Sequence, residues 1–367
     1  MKLSHSLSLI ILLAEYHIPI SSYSQKMIIS VPVANLRNAP QDIDSNVKLP
    51  TSENTNPLQG SQLLLGEYIV ADKEYINQDK EKWLRINALQ QPRFDQKKGW
   101  HGFPGWLKAD HAIPVTHFPV YNLIVNRLHA PLFYRNGKQL CILSIGTKLQ
   151  GLKLKNNLWK IILPDNKTAF IKDQDVYQYD HEIKESLAEL RNNIIAAARS
   201  FLGSFYSWGG RSAQHDHFGL SSVDCSSFVH LVFLANGLQI PRNAHDQFLT
   251  TKKIDVGKDL MAGDLVFFDP IRSSTQKPPI RMSHVLLYIG NNQLIESTNS
   301  GDRKVRIISF EERIGKPLTT IKSGDRSKNI TTRGKIAGQY HIFFGSYLQD
   351  PAIIKKLRNQ LLHNHED

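Results

Sequence analysis

The sequence predicts a chain of mixed helices and strands: two small β-barrels in its first half, then a unit in which a buried helix is followed by a run of strands. Three observations carry this. Short apolar runs broken by polar turns recur between residues 27 and 114, and the plan repeats between 121 and 171, the pattern of small barrels. A periodic helical stretch at 182–202 and an apolar helix opening at Asp224-Cys225 then interrupt it. Beyond them, strands return at 264–269, 284–290 and 293–298. With 367 residues there is room for about two to three domains, each with its own core.

Composition narrows the function classes. A chain 41% hydrophobic and 21% charged is globular. Forty-five Lys+Arg against 33 Asp+Glu leave a net charge of +12, which suits an anionic partner such as nucleic acid, a membrane surface or a bacterial wall polymer, or simply a solvated basic surface. Basic residues never run five together and aromatics do not interleave with a Lys/Arg stripe, so no nucleic-acid partner is expected. The two cysteines, Cys141 and Cys225, allow at most one disulfide and fit no metal spacing, and no HxxxH pair lies on a helix. No metal or cofactor is expected. Nor is an integral membrane segment, since no run of 18 apolar residues occurs.

Taken in order, residues 1–25 have the layout of a secretory signal peptide: Lys2 and His5, a short apolar core at Leu7–Ala14, then Ser22-Tyr23-Ser24 as a small-x-small site. Glu15 and His17, which end the apolar region early, count against it. Residues 26–117 read as the first barrel, with strands at Met27–Val33, Gln62–Ala71, Lys82–Ala88 and Gly105–Lys108; His101–Trp106 reads as a loop. Residues 118–180 read as the second, with strands at Leu123–Val125, Leu140–Ile145, Trp159–Leu163 and Ala169–Ile171. The Trp83 and Trp159 strands, each followed by a closing strand, look like the same step of an imperfect internal repeat.

Between Glu182 and Leu202, Ile183, Leu187, Leu190, Ile194, Ala198 and Phe201 fall at helical spacing, and Gly203 stops the helix. The chain is delivered to Tyr206-Ser-Trp208-Gly-Gly-Arg211 and then to Asp224-Cys225-Ser226-Ser227-Phe228. Asp224 is an N-cap, Asn236-Gly237 a stop signal, and the residues between are apolar nearly all round, so this helix belongs in the core. A thiol in its first turn meets unpaired backbone N–H groups and the positive end of the helix dipole, which favour thiolate over thiol. The alternative is a small buried apolar residue with no chemistry. Further on, a Pro- and Ser-rich loop is expected at 270–279, a strand within 301–310, a long polar loop or insertion at 315–338, a last strand at 342–347 and a basic tail, 350–367, helical from Pro351 to Leu362.

A nucleophilic Cys225 needs a base, and the base needs an orienting partner. His284 opens an apolar strand, and the hairpin that follows can be tested by parity. A three-residue loop, Gly290-Asn291-Asn292, sets His284 opposite Thr298 and Glu296 diagonally across on the same face, about 7–8 Å away between backbones. A two-residue loop would turn Glu296 to the other face. The residues therefore allow Cys225–His284–Glu296, or else a core histidine and an edge-strand charge.

The stretch from about Arg199 to Thr298 resembles the NlpC-type papain-like peptidases of bacterial cell walls. The residues that carry this are Tyr206-x-Trp208-Gly209-Gly210, Asp224-Cys225-Ser226-Ser227-Phe228, Pro241-Arg242 with Gln247, Gly263-Asp264-Leu265-Val266-Phe267-Phe268, and His284-Val285-x-x-Tyr288-Ile289-Gly290. The units before it resemble bacterial SH3 domains, through Ala34-Asn35-Leu36-Arg37 and Trp159–Asp165. The resemblance implies an α+β class: a papain-like catalytic domain at 181–349, its Cys helix packed on an antiparallel sheet, preceded by two SH3-like β-barrels. It further implies a thiol peptidase that cuts peptidoglycan stem peptides or muropeptide fragments between D-γ-glutamate and an L-diamino acid. A monomer is expected, and the N-terminal layout points to a secreted or periplasmic protein, with cytoplasmic recycling of fragments as the alternative. Cys225 would be nucleophile, His284 base and then acid, and Glu296 the orienting third member, at a position twelve after the His where the family commonly has His. Tyr206, Trp208, Asp224, Ser226, Arg242 and Glu67 would bound the substrate cleft, Asp224 meeting an ammonium group and Glu67, with the 101–106 loop, being the first barrel's contribution. Phe103 and Asn243-Ala244 depart from the family's usual Tyr and Asp-Ser or Asp-Ala, which bears on substrate preference. Two other classes remain: a catalytically silent wall-binding protein, and a related thiol amidase, transpeptidase or acyltransferase.

Overall fold

The computed structural model describes residues 24–42, 57–179, 185–212, 222–271, 280–330 and 336–362. Residues 1–23 of the export segment expected at 1–25 and most of the 270–279 stretch lie outside them.

The first unit is a seven-stranded antiparallel sheet of β1 (Gln25–Ile29), β2 (Val33–Arg37), β3 (Gln59–Leu64), β4 (Tyr68–Ile76), β5 (Lys82–Asp95), β6 (Gly99–Lys108) and β7 (Ala112–Pro114), in the order β3-β2-β6-β5-β4-β1-β7. Alternate residues of these strands (Met27, Ile29, Leu36, Ile69, Leu84, Ile86, Leu107) gather into one core, the outcome expected of period-two patterning. The second unit comprises β8 (Leu123–Val125), β9 (His129–Phe133), β10 (Gln139–Ser144), β11 (Lys148–Lys153), β12 (Leu158–Ile162), β13 (Thr168–Lys172) and β14 (Val176–Gln178). Its order, β10-β9-β13-β12-β11-β8-β14, is that of the first sheet strand for strand. Trp83 and Trp159 are the second residues of equivalent strands, β5 and β12, and both are buried. The repeat read from the two tryptophans is thus matched by topology.

Three expectations change here. Residues 62–71 are not one strand: β3 ends at Leu64, β4 begins at Tyr68, and Gly66 between them takes φ 82°, a conformation glycine adopts without Cβ strain. The 101–106 stretch is not a loop but part of β6, paired with the long β5 across a bulge between Ala88 and Pro92. Strands β9 and β11 were not legible: β9 is short and interrupted by Pro131, and the polar β11 carries little alternation.

The third unit begins with α1 (Leu187–Ser200), shorter than the expected 182–202 because Ser186 forms a capping box with Glu189. A small sheet of β15 (Phe205–Tyr206), β16 (Arg211–Ser212) and β17 (Ser222–Val223) leads into α2 (Cys225–Leu234). Next come α3 (Ala244–Thr250), β18 (Lys252–Ile254), β19 (Leu265–Pro270), β20 (His284–Gly290), β21 (Gln293–Ser297), β22 (Val305–Ser309), α4 (Phe310–Ile314), β23 (Arg326–Ile330), β24 (Ile336–Ser346) and α5 (Pro351–Leu362). The main sheet is antiparallel, in the order β18-β24-β19-β20-β21-β22 with β23 added on β24. The polar loop expected at 315–338 therefore contains a strand, held by backbone pairing that its composition does not advertise.

Both faces of this sheet are covered. Leu265, Phe267, Val285, Leu287 and Ile295 pack on the α2 side with Phe228, Val229, Val232 and Phe233. Val266, Phe268, Leu286, Leu294 and Phe344 pack on the other, under Phe310 and Ile314 of α4. Strands buried on both faces read as continuous apolar runs, as DLVFFD and HVLLYIG do. Among the described residues no helix is long and apolar enough to cross a membrane.

Candidate active site

Every residue of α2 is buried, as an apolar helix without a polar stripe requires. Asp224 caps it, Oδ1 accepting from Ser227 N at 2.8 Å. Cys225 is the first helical residue and 8% exposed. Two contacts fix the head of the helix to its surroundings: Ser227 Oγ donates to Gly210 O, and Ser297 Oγ donates to Val223 O at 2.7 Å, tying β21 to the strand just before the thiol.

His284 opens β20, is hydrogen-bonded to Glu296, and lies close enough to Cys225 for the thiol to raise its pKa. Nε2 donates to Glu296 Oε2 at 2.7 Å, which leaves Nδ1 for the thiol. The hairpin resolves the two alternatives in an unexpected way. Gly290 pairs with Gln293 around Asn291-Asn292, both at positive φ, a two-residue turn. A one-residue bulge at Ile289 then shifts the register, so that Tyr288 faces Leu294 and Leu287 faces Ile295. The shift returns Glu296 to the face of His284.

Glu296 is fully buried, and besides His284 it accepts from Arg306 Nη2 (2.8 Å) and Arg313 Nε (3.0 Å). Burial alone would raise its pKa, but Arg313 and His284 outweigh that and hold the carboxyl well below the usual range. Burial likewise disfavours charge on His284, whose side chain is 16% exposed. Cys225 and Glu296 overcome it and raise the imidazole to about 9. The site therefore favours an imidazolium held by the Glu296 carboxylate. Arg306 and Arg313 were not anticipated. Arg306 stands opposite Glu296 in the β21–β22 register and was within reach of a strand at 301–310; Arg313 sits on α4, whose available signal was the Ser309-x-x-Glu312 cap with Gly315 as its stop.

The predicted cleft residues divide. Tyr206 is half-buried, and its hydroxyl pKa is raised by burial and by Cys225 and Asp224 nearby. Trp208 is 46% exposed beside it. Asp224 is fully engaged: Arg242 grips it with Nη1 on Oδ1 (3.0 Å) and Nη2 on Oδ2 (2.7 Å), and Gly209 N donates to Oδ2. Ser226 Oγ donates to Asp224 and accepts from Arg242. Arg242 is itself buried, so Asp224, Ser226 and Arg242 form one charge-compensated unit.

Glu67 departs from expectation most clearly. It is buried, its Oε1 accepting from Arg211 Nη2 at 2.7 Å and its Oε2 from Gln91 Nε2 at 3.0 Å. The carboxylate expected to face substrate instead neutralises a guanidinium of the third unit, because Arg211 is fully buried and needs a counter-charge. Arg211 Nη2 also donates to His230 Nε2 on α2 (3.0 Å); burial and Arg211 push that imidazole well below its usual pKa, so it stays neutral. Ser61 Oγ accepts from Arg242 Nε and donates to Gln91 Oε1. A continuous polar chain thus runs Asp224–Arg242–Ser61–Gln91–Glu67–Arg211–His230, from the cap of α2 by way of the first β unit back to α2 itself. Gly209 (φ 69°) makes the close approach possible, since a Cβ there would meet Gln59 Cγ at 2.7 Å and Gly60 O at 3.1 Å.

Phe103 lies in the core of the first unit, under Arg93. Among the described residues no three His, Cys, Asp or Glu side chains are grouped as a metal ion would need. A cavity of about 330 Å³ lies apart from the thiol, in the seam between the two β units, lined by Ile28, Leu65, Tyr121, Lys148 and Leu163 among others.

Residues 203–321 match the NlpC/P60 family. The chain is 29% identical over 257 residues to the gamma-D-glutamyl-L-lysine dipeptidyl-peptidase of Bacillus subtilis (strain 168), covering 69% of this chain and 77% of that one. It is 27% identical over 265 residues to the protein of the same name from Bacillus cereus (strain ATCC 10987 / NRS 248), covering 70% and 71%. In structure it is similar to an NlpC/P60 family protein from Bacillus cereus ATCC 10987, with a TM-score of 0.57 at 24% identity, covering 77% of this chain and 94% of that one. That likeness shows the papain-like fold.

Proposed function

Since residues 203–321 are an NlpC/P60 domain, we propose that the chain is a cysteine endopeptidase of peptidoglycan stem peptides, cleaving between D-γ-glutamate and an L-diamino acid. The observation that carries the reading is one arrangement: Cys225 at the head of α2, His284 near enough for the thiol to raise its pKa, and Glu296 holding Nε2 at 2.7 Å. The names of the two bacillus relatives support the bond choice. The proposed substrate puts the protein's work outside the cytoplasmic membrane, in a secreted or periplasmic setting.

In the proposed reaction the Cys225 thiolate adds to the γ-glutamyl carbonyl carbon. The resulting oxyanion is met by N–H groups in the first turn of α2, with the Tyr206 hydroxyl as a second donor. His284, an imidazolium at this point, gives its proton to the diamino-acid nitrogen, the C–N bond breaks, and the amine leaves. A water then adds to the thioester carbon, its proton passing to His284. The thioester breaks to carboxylic product and thiolate, restoring the pair. Glu296 orients the imidazole and stabilises its charge throughout. Tyr206, Trp208 and Ser226 would line the cleft. Asp224 can meet a substrate ammonium only in competition with Arg242, which favours stems that do not depend on a free N-terminal amine.

The test uses defined tripeptide and tetrapeptide stems, with free and acylated N-termini, and reads fragments by mass. A Cys225→Ala protein should release no fragment; turnover equal to the parent would sink the proposal. Release of a fragment cut at any other bond would move the protein to the amidase or transpeptidase class.

A further inference from the structure

Glu296 is held by more than the imidazole. Its two oxygens divide their partners. Oε1 takes Arg306 through Nη2 and Nε (2.8 and 3.2 Å) and Arg313 through Nε (3.0 Å), while Oε2 takes His284 at 2.7 Å with a longer contact to Arg313 (3.2 Å). The guanidiniums arrive from different elements. Arg306 is the cross-strand partner of Glu296 on β22, and Arg313 comes from α4, which covers that sheet face. Arg313 also lies 4.6 Å over the Phe268 ring. Phe268 is paired with His284 across β19–β20, ring centroids 5.6 Å apart. The charged groups facing Glu296 are thus His284 from β20, Arg306 from β22 and Arg313 from α4, with Cys225 of α2 beyond the imidazole.

A carboxylate with no exposed surface protonates when it lacks a counter-charge. A protonated Glu296 would offer Nε2–H a poorer acceptor and could rotate its hydroxyl towards the ring. A fork of guanidinium donors prevents both, keeping the group ionised and fixing Oε1 so that Oε2 is left for the imidazole. A neutral side chain in the third position would need no such support; a glutamate on this buried face does.

We propose that Arg306 and Arg313 are positioning residues that act through Glu296, holding it charged and aimed so that the Cys225–His284 pair keeps its reactive form on the acid side of neutrality. The proposal rests on the triad reading but not on the identity of the substrate. It is tested without substrate, by the rate at which iodoacetamide alkylates Cys225 from about pH 5 to about pH 9, in a Cys141→Ser background with the label located by mass.

Arg306→Met and Arg313→Met should alkylate about tenfold more slowly than the parent near pH 5 and within about twofold of it near pH 8, as expected for a carboxyl whose pKa has risen into that range. Arg313→Lys should show a smaller displacement. With Glu296→Gln already present, Arg306→Met should add no further pH dependence. Arg306, the more exposed of the two, carries the test alone if Arg313→Met does not fold. Folded variants that alkylate at the parent rate at every pH, or more slowly by the same factor at every pH, would overturn the proposal, the second outcome marking a purely structural role. A parent that alkylates normally but cuts no stem peptide would sink the substrate reading and leave this one standing.

Discussion

Glu67→Gln separates two accounts of one residue. If its carboxylate served the substrate, the change would raise KM for stems with a free amine and leave the fold alone. The structure assigns it instead to Arg211, fully buried and 2.7 Å away. Two unit charges at that distance attract by roughly 6 kcal/mol at an effective dielectric constant of about 20, and breaking a buried pair from one side typically costs about 3–5 kcal/mol because the other charge is stranded. Here the stranded guanidinium would sit near Lys148, which burial already depresses to about 7 and which Glu67 helps to keep charged, so the upper half of that range is expected. The assay is urea unfolding at neutral pH followed by tryptophan fluorescence, with Trp83 in the first unit as one reporter. The midpoint should fall clearly, and kcat/KM should fall for free and acylated stems alike. A stability within about 0.5 kcal/mol of the parent together with a rise in KM confined to free-amine stems would refute the reasoning and restore the cleft role.

Two further outcomes follow from other parts of the molecule. His284 is raised from 6.5 to about 9 in the folded protein, so its contribution to stability is complete below about pH 6.5 and is lost as pH rises through about 9; thermal midpoints should decline across that window, and less so in Cys225→Ala, which lacks one of the two partners responsible. Gly146→Ala should destabilise by about 1–3 kcal/mol, because Gly146 has φ 87° and a Cβ there would lie 2.7 Å from Leu231 Cδ2 of α2; an unchanged unfolding midpoint would mean that the second β unit does not pack on the Cys helix.

How far the molecule could be read beforehand depended on whether the signal was local. The α2 helix was legible from end to end, since its cap, its apolar run and its stop signal are adjacent in the chain. So were β20, β21 and α5, and the placement of Trp83 and Trp159 in equivalent strands. The polar strands β11 and β23 were not, because backbone pairing decides them and side-chain periodicity does not, and β9 was hidden by its shortness and Pro131. The face of Glu296 was legible only as a choice between two loops, and the actual hairpin, a two-residue turn plus a bulge at Ile289, brought Glu296 to the face of His284 by a route that parity counting did not consider.

The sequence by itself determined where along the chain the groups of the proposed triad stand: a thiol at a helix start, an imidazole at a strand start, a carboxylate one hairpin away. Such features follow from capping, periodicity and turn chemistry, all of which act over a few residues. Only the tertiary structure decided which charges neutralise which. Glu67 meets Arg211 across 144 positions, Asp224 spends its oxygens on Arg242, and Glu296 gathers two arginines from a neighbouring strand and a short helix. Burial forces every such charge to find a partner, and the chain alone does not say which buried groups will lie within reach.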